Sequence, residues 1–160
     1  MSQTINEEGS RAAAILAELQ TNGIVVKSYT TAGNRLAGKT QVIEVSIIAA
    51  ANVGVTTVAT ITTQSCLIKS CVIHADAAQT VDMTSCALKG GVGQVVEFIS
   101  ATTAVQASLN AADKQVSGTG AWRLAATKTI VIDLQGTGAT AVDLTVTIEY
   151  EACVSGGYLV

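Results

Sequence analysis

The chain has 160 residues, of which 49% are hydrophobic and only 13% are charged, and its formal net charge is −3. Ordinary soluble domains contain roughly 25% charged residues, so we infer that much of this surface faces other subunits; the alternative is a monomer with a neutral, Thr- and Ser-rich surface. The nine Lys and Arg residues form no basic cluster, which argues against a nucleic-acid partner. No run of about 18 uninterrupted apolar residues occurs, so a membrane-spanning helix is excluded.

The size predicts a single β-sandwich domain over residues 23–160, preceded by a helical arm over residues 1–22. The polar, acidic N-terminus is unlike a secretory signal, which predicts synthesis and folding in a reducing cytosol and therefore four cysteines that are thiols.

The first predicted element is a helix from Ile5 to Thr21. Thr4 and Glu7 have the spacing of a capping box, and the glycine at position 23 is a stop signal. The helix has one narrow apolar stripe, which we expect to pack across the sheet or against a neighbouring copy. This stripe and the apolar end of the chain are the predicted contact residues: Ile5, Ile15, Leu16, Leu19, Tyr158, Leu159 and Val160.

About eight strands are predicted downstream, because apolar and polar residues alternate with a period of two. They are expected among nine strand-like runs: 24–29, 41–49, 55–62, 66–74, 80–88, 95–100, 121–124, 128–134 and 141–150. In run 55–62 the alternation places Val55 and Thr57 on the same face as Ala59 and Ile61. Run 66–74 is apolar on both parities, which predicts a central strand covered on each side.

The last two runs, 128–134 and 141–150, predict a β-hairpin through a linker that contains two glycines. The glycine-rich segments 90–93 and 117–120 predict turns. Segment 102–114 has apolar residues at helical spacing and predicts a helix or a helical turn; the alternative is an irregular loop with one strand.

These elements predict an all-β, antiparallel two-sheet sandwich of the jelly-roll type, rather than an immunoglobulin-like fold, because a Cys…Trp…Cys pattern is absent. The chain contains no proline, and few inward-pointing charges protect the strand edges. We therefore expect edges or faces to be covered in an oligomer.

Catalytic, metal and cofactor sites find no support in the sequence. His74 is the only histidine, and we expect its ring to bond backbone or water at a strand end. Cys66 and Cys71 are five positions apart on one predicted strand, so they should project to opposite faces and cannot share one ion. Buried free thiols are expected, although a Cys71–Cys86 or Cys66–Cys153 bridge is an alternative if the protein matures outside the cell.

The acidic residues are dispersed along the chain, and those of run 141–150 predict a solvated face rather than a glycosidase pair. The glycine segments lack the helix and the Lys-Ser/Thr of a phosphate-binding loop. We expect no enzymatic activity.

Residues 118–140, Gly-Thr-Gly-Ala-Trp-Arg-Leu-Ala-Ala-Thr-Lys-Thr-Ile-Val-Ile-Asp-Leu-Gln-Gly-Thr-Gly-Ala-Thr, and residues 143–151 resemble the small β-sandwich virion proteins of tailed bacteriophages, especially capsid decoration or cement proteins. The resemblance covers mostly residues 60–155 and consists of strand texture and composition. It implies a jelly-roll protein on the outside of an icosahedral head. The implied partners are the major capsid protein and copies of the chain itself, in a dimer or trimer. The N-terminal helix has no match in that family.

Two alternatives stay open. One is a tail, neck or fibre component of a virion. The other is a jelly-roll carbohydrate-binding module, which would need aromatic side chains lining an exposed groove; the candidates are Tyr29, Phe98, Trp122, Tyr150 and Tyr158.

Overall fold

A computed structural model describes residues 38–48, 53–79, 82–137, 143–154 and 156–160. The predicted helix over 5–21, the arm over 1–22 and the predicted strand 24–29 lie outside these ranges. The described residues form nine strands: β1 (Thr40–Ile48), β2 (Gly54–Thr62), β3 (Cys66–Ala75), β4 (Met83–Gly90), β5 (Val96–Ile99), β6 (Gln115–Leu124), β7 (Thr129–Gly136), β8 (Asp143–Ala152) and β9 (Tyr158–Leu159). Within the described ranges no helix is long and apolar enough to cross a membrane.

The strands form two antiparallel sheets, which confirms the predicted all-β class and is consistent with a jelly-roll-like sandwich. One sheet has the order β1-β8-β3-β6, and the other has the order β5-β4-β7-β2-β9. The inward-facing side chains of both sheets form one continuous hydrophobic core. Tyr150 is 1% exposed at its centre, and Leu144, Val146 and Ile148 of the same strand are fully buried, as their alternation predicted.

The predicted hairpin between the last two runs is wrong. β7 lies between β4 and β2 in the five-stranded sheet, whereas β8 lies between β1 and β3 in the four-stranded sheet. Each run has one apolar face, and burying that face requires an opposing sheet rather than a neighbouring strand. The residues between β7 and β8 therefore connect the two layers, which lie roughly 10 Å apart in such sandwiches.

The strand over 66–74 is central, as predicted, but only its inner face is fully buried. The pairing of β3 shifts between Ile68 and Ser70, on both of its neighbours. The extra residue changes the parity, so Cys66 and Cys71 both face the core and are both 0% exposed. The prediction that these two thiols project to opposite faces is wrong for this reason.

A second bulge lies in β2, where the pairing with β7 shifts between Thr57 and Ala59. Val55 and Thr57 are exposed, whereas Ala59 and Ile61 are buried. The predicted single face for these four residues is therefore wrong, because the strand changes parity at Val58.

The predicted turn at 117–120 is also wrong, because β6 continues through it. Gly118 packs against β5, where a Cβ atom would lie 1.9 Å from the carbonyl oxygen of Phe98. At Gly120 the indole of Trp122 occupies the space of a side chain, 2.6 Å from the Cβ position. Both glycines thus allow a close approach within a strand rather than a change of direction.

The remaining connections agree with the sequence. The turn predicted at 90–93 contains a 3-10 turn over Val92–Gln94. The helical turn predicted within 102–114 is a short 3-10 turn over Gln106–Ser108, followed by the buried Leu109.

Candidate contact surfaces

Several polar side chains of the described residues form hydrogen bonds between separate segments of the chain. His74 lies at the end of β3, with Nδ1 2.9 Å from Oδ1 of Asp76 and Nε2 3.7 Å from Oδ1 of Asp113. Thr145 donates from Oγ1 to Oδ2 of Asp76 at 2.7 Å. This hydrogen bond, with a smaller contribution from His74, lowers the pKa of Asp76.

We expected the ring of His74 to bond backbone or water, and this expectation is wrong because its hydrogen-bond partner is a side-chain carboxylate. The imidazole hydrogen-bonds the carboxylate of Asp76 and lies near that of Asp113, and within the described ranges no hydroxyl or thiol is bonded to it. The cluster fastens the end of β3 to the start of β8 and to the loop before β6. In the same ranges, no three His, Cys, Asp or Glu residues form a group that could hold a metal ion.

The acids of β8 lie on the outer face of the four-stranded sheet, as the alternation predicted. Glu149 accepts a hydrogen bond from Ser70 Oγ at 2.8 Å, and Glu151 accepts one from Lys69 Nζ at 2.7 Å. Thr40 donates a second hydrogen bond to Glu151, from Oγ1 at 3.1 Å. The Lys69 hydrogen bond is the largest cause of the lowered pKa of Glu151.

All four cysteines are free thiols, and neither of the two alternative bridges is formed. Cys66, Cys71 and Cys86 are buried, whereas Cys153 is exposed. Loss of solvation raises the pKa of Cys66 to about 11 and the pKa values of Cys71 and Cys86 to about 12. The three buried thiols are thus poor nucleophiles.

The aromatic rings of the described residues belong to the core. Phe98 and Trp122 pack edge to face, with ring centroids 5.2 Å apart. Tyr150 is buried, and Trp122 and Tyr158 pack against the core as half-buried residues. The fifth candidate ring, Tyr29, lies outside the described ranges. The carbohydrate-binding alternative therefore stays a prediction, and Phe98 and Tyr150 are too buried to support it.

Four of the seven exposed valines of the described residues lie near one end of the sandwich. We call this region the valine end; it comprises Val92 (69% exposed), Val95 (77%), Val154 (52%) and Val160 (58%). They come from three separate segments of the chain: the turn before β5, the loop after β8 and the residue after β9.

Backbone contacts place these three segments at the same end of the sandwich. Val160 exchanges two hydrogen bonds with Thr60, at 2.6 and 3.0 Å. Thr60 is paired with Thr129, whose carbonyl accepts a hydrogen bond from Gly91 at 3.4 Å, one residue before Val92. Val154 follows Cys153, whose amide donates to the carbonyl of Ser65 at 2.9 Å, next to the first residue of β3.

The predicted contact residues have mixed positions. Ile5, Ile15, Leu16 and Leu19 lie outside the described ranges. Leu159 is 4% exposed and packs inside its own sandwich, and Tyr158 is half-buried. Val160 is exposed and belongs to the valine end. Whether any of these residues contacts another subunit stays a prediction.

No protein-family model and no curated protein matches this chain. Among solved structures, a chain of the acidic stable capsid structure of Helicobacter pylori bacteriophage KHP30 is 9% identical, with a TM-score of 0.51 over 78% of this chain and 95% of that one. This chain has the fold of a phage capsid chain. A chain of the cyanophage Pam1 capsid (18% identity, TM-score 0.49, 79% and 99% covered) and one of the Ralstonia phage GP4 capsid (14%, 0.49, 83% and 94%) are also similar.

The valine end was missed by the sequence reasoning, apart from Val160. Val92 lies within the turn predicted at 90–93, and Val95 is the first residue of the predicted strand 95–100, so neither valine belongs to a periodic pattern that marks an exposed site. The sequence does show single valines among Gly, Gln and Ser residues in two loops. That these loops meet at one end of the sandwich depends on the pairing of β2, β7 and β9, which the sequence does not show.

Proposed function

We propose that this chain is a non-enzymatic structural protein of a bacteriophage virion, and that it is a decoration or cement protein on the outside of the head. The observation that carries the proposal is the fold shared with the KHP30 capsid chain, of which this chain covers 95%. The likeness therefore extends over nearly the whole of that chain rather than over a small part of it.

The surface supports a contact role. The valine end presents four exposed apolar side chains at one end of a chain whose charged residues are few, and exposed apolar surface commonly marks protein–protein contacts. A cement protein would seat this end on the major capsid protein and stabilise the shell through many modest contacts repeated by symmetry. Copies of the chain are the second expected partner.

Binding to undecorated phage heads tests the proposal. Purified protein is mixed with heads that lack it, and bound protein is measured by co-sedimentation. Burial of each of these valine side chains would contribute roughly 1 kcal/mol to the free energy of binding. Replacing all four by serine should therefore weaken binding by up to about 1,000-fold.

Replacement of Val53 and Val55 by serine provides a matched control. Val53 precedes β2 and is 48% exposed, and Val55 is the second residue of β2 and is 53% exposed. Both lie at the start of this strand, whereas the valine end adjoins its other end. The control should bind heads like the unmodified protein. Binding of the unmodified protein to purified tails but not to heads would favour the tail, neck or fibre alternative, and binding to neither would refute a virion role.

A further inference from the structure

The two sheets differ in how their edges are protected. The five-stranded sheet ends in β5, with four residues, and β9, with two residues. The four-stranded sheet ends in β1, with nine residues, and β6, with ten. Short edge strands limit unwanted pairing, whereas long exposed edges are templates for another strand.

Among the described residues, β1 pairs with β8 alone and β6 pairs with β3 alone. The core is also incompletely covered along these two strands. Ile43 and Val45 of β1 and Val116 and Trp122 of β6 face inward but remain only partly buried. The inward residues of the adjacent β8 and β3 are almost fully buried. As far as the described ranges extend, the apolar core is thus only partly covered at both edges of the same sheet.

We propose that β1 of one copy pairs with β6 of the next copy, so that the four-stranded sheets of neighbouring subunits join edge to edge. The strand directions permit this join. Because every pairing in the order β1-β8-β3-β6 is antiparallel, β1 and β6 run in opposite directions. A neighbour in the same orientation therefore presents its β1 antiparallel to β6 and continues the sheet without a reversal.

The charges favour this join over a two-fold join of β1 with itself. Glu44 is the only charged residue on the outer face of β1, and Arg123 is the only one on the outer face of β6. Glu44 is at the centre of β1, so a two-fold pairing with full overlap would place it opposite its own copy. Across the order β1-β8-β3-β6, Glu44 is level with Ser117, and Arg123 is level with Thr40. The proposed join of β1 with β6 therefore includes an offset of about four residues along the strands, which brings Glu44 of one copy opposite Arg123 of the next.

The join would also bury the open parts of the core against each other, namely the inward residues Ile43 and Val45 of one copy and Val116 and Trp122 of the next. It uses a different surface of each partner, so it closes into a ring when each step turns by a suitable angle. The inference deepens the proposed function, since it names the surface through which copies associate, and it rests on the expectation that they do.

A charge swap tests this join. Glu44→Arg alone and Arg123→Glu alone should each weaken self-association by about fivefold at low salt, measured by sedimentation velocity over a dilution series. The double variant should restore the association of the unmodified protein. Glu97→Arg, at an exposed position on β5, is the matched control and should leave self-association unchanged.

Hydrogen exchange gives a second readout that does not depend on the variants folding. In the assembled protein the amides of β1 and β6 should be protected, and dilution to monomer should release both sets. Failure of the double variant to restore association overturns the join, as does protection of β1 that persists in the monomer, which would assign that edge to residues 24–29 of the same chain. If the protein is a monomer and still binds heads, this inference is overturned and the proposed function stands. If it forms the oligomer but binds neither heads nor tails, the proposed function is overturned and the join stands.

Discussion

Gly118 allows a quantitative test of how β5 approaches β6. A Cβ atom at this position would lie 1.9 Å from the carbonyl oxygen of Phe98 and 3.2 Å from Cγ1 of Ile99. Carbon–oxygen contacts are about 3.3 Å or longer, so Gly118→Ala requires the two strands to separate by roughly 1.4 Å. The obstructing oxygen belongs to the backbone and cannot rotate away.

Overpacking costs about 1–3 kcal/mol where side chains can adjust. Because a strand must move here, we expect Gly118→Ala to lower the free energy of unfolding by about 3 kcal/mol, out of the roughly 5–15 kcal/mol typical of a domain. The melting temperature should fall by about 6–12 °C, as followed by circular dichroism at one fixed protein concentration.

Gly120→Ala is the matched control. Its Cβ would lie 2.6 Å from the indole of Trp122, which is a side chain and can turn aside. We expect a loss of about 1 kcal/mol or less, because alanine also removes the entropic cost of a glycine in a strand. An unchanged melting temperature for Gly118→Ala, or equal losses for the two variants, would show that β5 does not approach β6 as described.

Three further predictions concern side chains. Glu151→Gln should reduce the acid sensitivity of the fold: the lowered pKa of Glu151, caused first by the Lys69 hydrogen bond, stabilises the protein at pH values above 4.5, and this stabilisation is lost as the pH falls through the lowered pKa. Thermal melts of both proteins between pH 7 and pH 3 measure the difference. A thiol reagent at neutral pH should label Cys153 rapidly in the native protein and the other three cysteines only after unfolding, as counted by mass spectrometry. Leu159→Ala should lower the free energy of unfolding by about 2–5 kcal/mol, whereas Val160→Ser should change it by less than about 0.5 kcal/mol in urea titrations.

Each of these has a clear contrary result. Parallel acid profiles for the unmodified protein and the glutamine variant would remove the assigned role of the Lys69 contact. Rapid native labelling of two or more cysteines would contradict the buried positions of Cys66, Cys71 and Cys86. Equal losses for the two tail variants would mean that Leu159 is not part of the core.

Alternation in the sequence was sufficient to identify most strands, but not their partners. The inward residues of β8 could be predicted one by one, since a two-residue period needs no knowledge of neighbours. The assignment of β7 and β8 to different sheets could not, because an apolar face on each run is equally satisfied by a hairpin or by two opposed layers. Pairing depends on contacts between distant segments, such as Ile61 with Leu159.

Bulges and strand glycines limited the remaining predictions. The bulge near Lys69 places Cys71 on the inner face, and no residue type in the neighbouring sequence predicts a bulge there. Gly118 was interpreted as a turn residue because glycine commonly ends strands, whereas here it admits the backbone of Phe98. The same restriction applies to the candidate site: the valine end is formed by segments that are distant in sequence, so composition could predict an apolar contact surface but not its location.

The pairing of β1 with β8 has a consequence for synthesis. Thr40 lies opposite Glu151, and the two are 111 positions apart in the chain. At translation rates of about 5–20 residues per second, β1 leaves the ribosome roughly 5–20 seconds before its partner strand exists. The sandwich can therefore close only after β8 has been synthesised, and until then the nascent chain must keep β1 away from other polypeptides.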